Sequence, residues 1–273
     1  MTQQETVKQA LRRLCAWYQQ GHRDLPWRRT QDPYAVWISE IMLQQTRVQA
    51  VIPYYERFMR ALPTVQALAE VPEEQLLKLW EGLGYYSRAR NLQKAARTVC
   101  AEFDGRMPRD RDALLTLSGI GAYTAGAVAS IAGGQCCPAV DGNVLRVLSR
   151  LFARDWDITS QKVKQLAEQE LQPAMPCACP GDCNQALMEL GAVVCVPNGP
   201  ARCMECPVAA LCKAYHHGTV DELPVKAPKK KRTIENKTVL VIQDGERTAI
   251  HKRPQEGLLA GLYELPNVEG HLS

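Results

Sequence analysis

Apolar residues recur at helical spacing through most of the chain. Val7, Leu11, Leu14 and Tyr18 follow Thr2-x-x-Glu5, which has the form of a capping box, so the chain opens with an amphipathic helix. Trp37, Ile38, Ile41, Met42 and Val48 mark a second helix with imperfect spacing. Pro72-Glu73-Glu74 opens a third, carrying Leu76, Leu77 and Trp80 before Gly82 and Gly84 stop it. Arg88 to Glu102, Arg111 to Leu117, Ala122 to Ala132, Asn143 to Phe152, Ser160 to Leu171 and Asn184 to Val194 continue the helical pattern. No segment before about residue 215 reads as a strand.

The pattern changes beyond Tyr215. Residues 220–237 are rich in proline and charge and include Lys229-Lys230-Lys231-Arg232, which reads as a solvated linker, with a phosphate contact or nuclear address as the alternative. Thr238 to Ile242, Asp244-Gly245 and Arg247 to His251 then read as a β-hairpin, with a further short strand at Leu262 to Leu265.

At 273 residues the chain is long enough to bury a core without disulfide staples, and a net charge of +4 permits nucleic-acid binding without demanding it. Neither a signal-peptide pattern nor a run of about 18 apolar residues occurs, so no membrane partner is expected. Eleven cysteines in such a chain suggest a reducing compartment with thiols kept for metal or packing. Cys15, Cys100, Cys136 and Cys137 sit in apolar surroundings and are expected as small packed thiols, and Cys177, Cys179 and Cys183 as incidental ones. Cys195-x7-Cys203-x2-Cys206-x5-Cys212 is different: four thiols so close together suit a tetrahedral zinc or an iron–sulfur cube, and spacing does not choose between them.

Three further stretches could carry chemistry. Gly119 and Gly121, between two helical patterns, allow a tight hairpin whose amides can face a phosphate, although a plain helix–turn–helix corner uses the same residues. Asp141-Gly142-Asn143 precedes an apolar helix. Asp141 is there an N-cap, a carboxylate held ionised by backbone amides at a site mouth, or both. Glu40 is the only acid between Trp37 and Tyr55 and has apolar neighbours. It lies either on the polar side of its helix or in a setting that raises its pKa into the range of a proton donor.

These features, in this order, resemble the helix-hairpin-helix DNA glycosylases, and in detail the adenine DNA glycosylase (MutY) family. The matching stretches are Leu25-Pro26-Trp27-Arg28, Trp37 to Thr46, Gly82 to Leu92, the hairpin, Val140 to Val144 and Asn184 to Ala192. The resemblance implies a mainly α fold, with a helical barrel and an iron–sulfur subdomain in residues 1–219, a linker at 220–237, and an incomplete α+β Nudix-like segment at 238–273 that includes Lys252 to Pro266.

By that resemblance Glu40 protonates N7 of a flipped-out adenine, Asp141 stabilises the charge developing on the sugar, and Tyr123 and Asn143 position the reacting groups. Gln45 and Tyr85 are the residues that enter the base stack, while Gly119 and Gly121 grip the DNA backbone. Bifunctional relatives carry a lysine where this chain has Tyr123, and a phenol cannot form a Schiff base, so a monofunctional glycosylase leaving an abasic site is expected. The implied partner is double-stranded DNA with adenine opposite 8-oxoguanine or guanine, bound by a monomer in the bacterial cytoplasm at the nucleoid. The resemblance also turns the choice at Cys195, Cys203, Cys206 and Cys212 to a [4Fe-4S] cluster. Two departures from the family pattern are a first cysteine gap one residue longer and Ser118 in place of a proline. The alternatives are a thymine glycosylase for G·T mismatches and a non-catalytic iron–sulfur DNA-binding protein.

Overall fold

The computed structural model describes residues 2–225, 233–254 and 256–271. The basic run Lys229 to Arg232 and Gln255 of the Lys252 to Pro266 stretch lie outside the described residues. The chain divides into two compact units, residues 1–227 and 228–273.

The first unit is helical. Its helices are α1 (Gln3–Gln20), α2 (Pro33–Leu43), α3 (Val48–Ala61), α4 (Val65–Glu70), α5 (Glu73–Trp80), α6 (Ser87–Glu102), α7 (Arg111–Leu115), α8 (Ala122–Ile131), α9 (Gly142–Phe152), α10 (Gln161–Leu171), α11 (Pro180–Val193) and α12 (Lys213–His217). The expected capping box is present: Thr2 Oγ1 accepts from the Glu5 N–H at 3.2 Å while Glu5 Oε2 accepts from the Thr2 N–H at 2.7 Å.

The second helix of the sequence reading divides in two. Asp32 caps α2 by accepting from the Tyr34 and Ala35 amides, and Pro33 occupies its first turn. The helix ends at Leu43, Gln45 turns left-handed with φ +59°, and α3 begins at Val48. Every residue from Pro33 to Met42 is buried, which explains the imperfect spacing: a helix covered on all sides has no polar face to set a period. Pro53 lies inside α3 and obscures it in the sequence.

Two cores result. One gathers Trp37, Ile38, Phe58, Leu76, Trp80 and Leu114 from α2, α3, α5 and α7. The other joins Leu11 and Leu14 of α1 to Leu145, Leu148 and Leu187 of α9 and α11, so the first helix packs against helices made late in the chain. Close backbone approach fixes how α8, α9 and α11 meet. A Cβ on Gly126 would stand 2.3 Å from the Pro138 carbonyl oxygen, and one on Gly191 would stand 2.6 Å from Asn143 Cβ.

Contrary to expectation, Cys136 is not a packed thiol and Cys177 is not incidental. The segment after α8 passes the turn before α11 with a Cα–Cα distance of 4.9 Å, and the two cysteines form a disulfide.

The second unit holds short antiparallel pairs. β1 (Lys237–Val239) pairs with β6 (Asn267–Glu269), β2 (Gln243–Asp244) with β3 (Arg247–Thr248), and β4 (His251–Lys252) with β5 (Tyr263–Glu264). The Asp244-Gly245 hairpin is therefore present but only two residues deep. Its expected first strand is used instead, at 237–239, to pair with a strand near the end of the described residues.

Candidate active site

α2, the start of α8, the start of α9 and one face of α11 surround a cavity of about 550 Å³ whose lining includes Glu40, Gln45, Tyr123, Asp141, Asn143 and Met188. All four expected catalytic residues thus share one cavity, although they are far apart in sequence. Glu40, on the buried helix α2, is 6% exposed. Tyr123, in the first turn of α8, donates its hydroxyl to Glu40 Oε2 at 2.6 Å and lies 3.6 Å from Met188 Sδ. Burial drives the Glu40 carboxyl up to about 7, with the Tyr123 hydrogen bond opposing the rise and the Asp141 charge adding to it. Burial and the nearby carboxylates push the Tyr123 phenol well above its ordinary value, so it stays a donor.

Asp141 combines the two roles left open by its sequence. It is the N-cap of α9, with Oδ1 accepting from the Val144 N–H at 2.8 Å, and it also lines the cavity. Asn143 Nδ2 donates to Asp141 Oδ2 at 2.7 Å. The balance of its pKa differs from expectation: burial moves it upward, outweighing the Val144 amide, the Asn143 donors and the Arg146 charge, which all pull it down.

Three positions that the sequence reading gave no role complete the surroundings. Arg146 donates to Asn143 Oδ1 at 2.8 Å, to the Gly191 carbonyl at 2.8 Å and, through Nε, to the Cys195 carbonyl at 2.8 Å. An unbroken hydrogen-bond chain therefore runs from the backbone of Cys195 to Asp141. Glu189 on α11 holds Arg23 at 2.6 Å and Arg28 at 2.8 Å. Burial would raise its carboxyl, but these two guanidinium groups bring it down to about 2. Arg88 ties the end of α2 to the turn before α6 through backbone carbonyls. Arg28, Glu189 and Arg88 sit in stretches that carry the family resemblance, and Arg146 stands three residues after Asn143, but spacing alone assigns none of them a partner.

The expected DNA-contacting residues lie outside the catalytic group. Gln45 is exposed at the rim, and Tyr85 is 62% exposed with φ +49°. Gly119, between α7 and α8, has φ +77°, and a Cβ there would stand 2.8 Å from Asn91 Cβ. Gly121 differs: its backbone is extended and a Cβ would meet nothing within 4 Å. Neither backbone conformation nor packing within the chain therefore explains its missing side chain.

Cys195, Cys203, Cys206 and Cys212 line a second, small cavity together with Arg150 and Tyr215. Arg150 Nη1 donates to Cys195 Sγ at 3.3 Å, the Val208 amide faces Cys206, and the Ala214 and Tyr215 amides face Cys212. Four thiols around one space, with amide and guanidinium donors aimed at the sulfurs, fit an anionic metal–thiolate centre. Among the described residues no three Cys, His, Asp or Glu side chains stand close enough to share one ion.

A helical hairpin beside a cavity that holds a protonatable glutamate and a capped aspartate places the chain among the base-excision DNA glycosylases of helix-hairpin-helix type. The family described as HhH-GPD superfamily base excision DNA repair protein matches residues 38–173. Within it, the chain belongs to the adenine DNA glycosylase family. It is 41% identical to the adenine DNA glycosylase of Homo sapiens over 93% of this chain and 56% of that protein. To the adenine DNA glycosylase of Buchnera aphidicola subsp. Schizaphis graminum it is 36% identical over 93% of this chain and 73% of the relative. The chain spans little more than half the length of the human, mouse and rat relatives, at 56%, 59% and 60%.

Among solved structures, a thermostable thymine-DNA glycosylase is 31% identical with a TM-score of 0.69, covering 78% of this chain and 98% of its own. A trapped endonuclease III–DNA covalent intermediate is 26% identical with a TM-score of 0.68, covering 80% and 99%. No helix among the described residues is long and apolar enough to cross a membrane.

Proposed function

We propose that this protein is a monofunctional glycosylase that removes adenine opposite 8-oxoguanine or guanine by hydrolysing the N-glycosidic bond, leaving an abasic site. The observation that carries the reading is Glu40, a buried acid whose carboxyl is raised to about 7 and hydrogen-bonded to Tyr123 in the cavity that also holds Asp141. Glu40 gives its proton to N7 of the extruded base. As the bond from C1′ to N9 lengthens, adenine leaves as a neutral base and the Asp141 carboxyl, held by the Val144 amide and the Asn143 side chain, faces the positive charge on the sugar. Asn143 orients Asp141, Tyr123 orients Glu40, and water adds its oxygen at C1′ while its proton returns to the Glu40 carboxylate. The Tyr123 phenol has no amine with which to form a Schiff base, which supports base removal without strand cleavage.

Gln45 and Tyr85 enter the base stack, and the amides around Gly119 and Gly121 bind the DNA backbone. The open space at Gly121 supports close approach of a phosphate. Cys195, Cys203, Cys206 and Cys212 would hold a [4Fe-4S] cluster. Such a cube takes one thiolate at each iron, which agrees with four thiols lining one cavity without converging on a single point. The group would supply a rigid anchor for the 195–212 loop.

In this proposal the protein acts at DNA as a monomer in the bacterial cytoplasm, with residues 1–219 as the glycosylase, 220–237 as a linker and 238–273 as a Nudix-like segment.

The test is single-turnover base release from matched duplexes carrying adenine opposite 8-oxoguanine, guanine or thymine, together with a G·T duplex. Adenine release confined to the first two, and lost in Asp141→Asn, supports the proposal. Thymine release from G·T without adenine release overturns it in favour of the second reading, which the 31% identity to a thymine-DNA glycosylase keeps in view.

A further inference from the structure

Arg88 makes more contacts with backbone carbonyls than any role in local helix structure requires. Its Nη1 donates to the carbonyls of Ile41 at 2.7 Å, Met42 at 3.2 Å and Gln44 at 2.7 Å, and its Nη2 to those of Leu83 at 3.1 Å and Gly84 at 3.2 Å. The first three belong to the end of α2 and its cap, and the other two to the turn before α6. Two of these carbonyls belong to the peptides that lead directly into Gln45 and Tyr85. Both following residues are left-handed, with φ +59° and +49°, a conformation that side-chain-bearing residues adopt rarely. Both side chains are exposed, and the Tyr85 carbonyl accepts from the Arg88 backbone N–H at 2.9 Å. The guanidinium also lies 5.6 Å from the Tyr85 ring and 5.4 Å from the Trp80 ring, and Trp80 Nε1 donates to the Gly84 carbonyl at 3.1 Å.

We infer that Arg88 is a positioning residue that sets Gln45 and Tyr85, from two distant segments, at one fixed separation so that they enter the base stack together. A planar fork of N–H groups can hold carbonyls from two segments at once, whereas a lysine ammonium offers a point charge with no such geometry. Arg88 does not line the cavity that holds Glu40, so its effect on base release runs through the two inserted residues. The inference rests on the proposed stack entry of Gln45 and Tyr85.

The experiment measures extrusion rather than chemistry. A duplex with 2-aminopurine in place of the target adenine opposite guanine reports unstacking by its fluorescence. Arg88→Gln and the milder Arg88→Lys are compared in two backgrounds, the parent and the Gln45→Ala/Tyr85→Ala double variant. Single-turnover adenine release against pH is measured in parallel on the unmodified duplex. In the parent background the Arg88 variants are expected to slow extrusion by about 30-fold, and in the double variant by less than about twofold, because the groups being positioned are gone. The pH profile of release should keep its shape. An equal fold-loss in both backgrounds would show a general structural role and overturn the inference, as would unchanged extrusion in the parent background. If the double variant itself extrudes the base like the parent, the stack-entry reading fails and takes this inference with it, an outcome distinct from the other two.

Discussion

Replacing Glu40 with glutamine should stabilise the fold at pH 8 while abolishing base release. The folded protein holds the Glu40 proton more tightly than the unfolded chain does, because burial raises its carboxyl from 4.5 to about 7. The resulting stability is fully present below about pH 4.5 and is lost as pH rises through about 7. At about 1.36 kcal/mol per pH unit, the gap from 4.5 to about 7 is worth about 3 kcal/mol, carried as the cost of a buried charge above neutrality. Glutamine is neutral throughout and close in shape, and its side-chain oxygen can accept from the Tyr123 hydroxyl as Glu40 Oε2 does. For a domain of this size each kcal/mol moves Tm by about 2–4 °C, so the variant should melt up to about 6–12 °C higher at pH 8. At pH 5, where the folded protein holds the proton and only the unfolded chain ionises, the difference should shrink to about 1 kcal/mol, or about 2–4 °C. Thermal unfolding followed by circular dichroism at pH 5, 6, 7 and 8 reads the difference directly. A difference independent of pH, or a variant less stable at pH 8, would refute the claim that burial holds this carboxyl near neutrality.

Tyr123→Phe removes the hydrogen bond that favours the Glu40 carboxylate, so the alkaline limb of kcat/KM for adenine release should move up by about one pH unit; a downward move would contradict the geometry. Arg146→Gln breaks the chain from Cys195 to Asn143 and should lower single-turnover release by about tenfold to hundredfold, with iron content and absorbance near 400 nm retained. Glu189→Gln leaves Arg23 and Arg28 without their shared carboxylate and should cost about 3 kcal/mol in urea unfolding at pH 7. Because the Glu189 carboxyl is lowered to about 2, its stabilisation is present above about pH 4.5 and is lost as pH falls through about 2, so the variant's deficit should shrink over that range. Cys206→Ser should reduce iron per chain well below four, measured by metal analysis of anaerobically purified protein.

The helices that present one polar face were legible in the sequence, and those that present none were not. The capping box and apolar stripe of α1 stand where they were expected, whereas α2, buried on every side, gave only an irregular signal and merged with the start of α3. Glu40 is legible because a lone acid among apolar residues is costly unless used, and Asp141 because an acid before a helix has a physical task. That the Tyr123 hydroxyl reaches Glu40 could not be read from spacing, since 83 residues separate them and tertiary packing alone brings them together. Arg88, Arg146 and Glu189 eluded the sequence reading for a related reason. Their partners are backbone carbonyls or distant guanidinium groups, and a charged residue at helical spacing looks the same whether it faces water or a buried acceptor.

The tight approach of α11 to Asn143 sets a limit on how substitutions in this chain can be interpreted. Alanine is a better helix former than glycine by about 1 kcal/mol, so Gly191→Ala would rank as harmless on any scale of helix propensity. Its added methyl, however, would have to occupy space 2.6 Å from Asn143 Cβ, and the displacement would pass to the Asp141 carboxylate through the Asn143 side-chain and backbone donors. Such a variant could express well and melt normally while losing the proposed base release. Screens that score abundance or thermal stability would pass it, and only a direct assay of the chemical step would expose the defect.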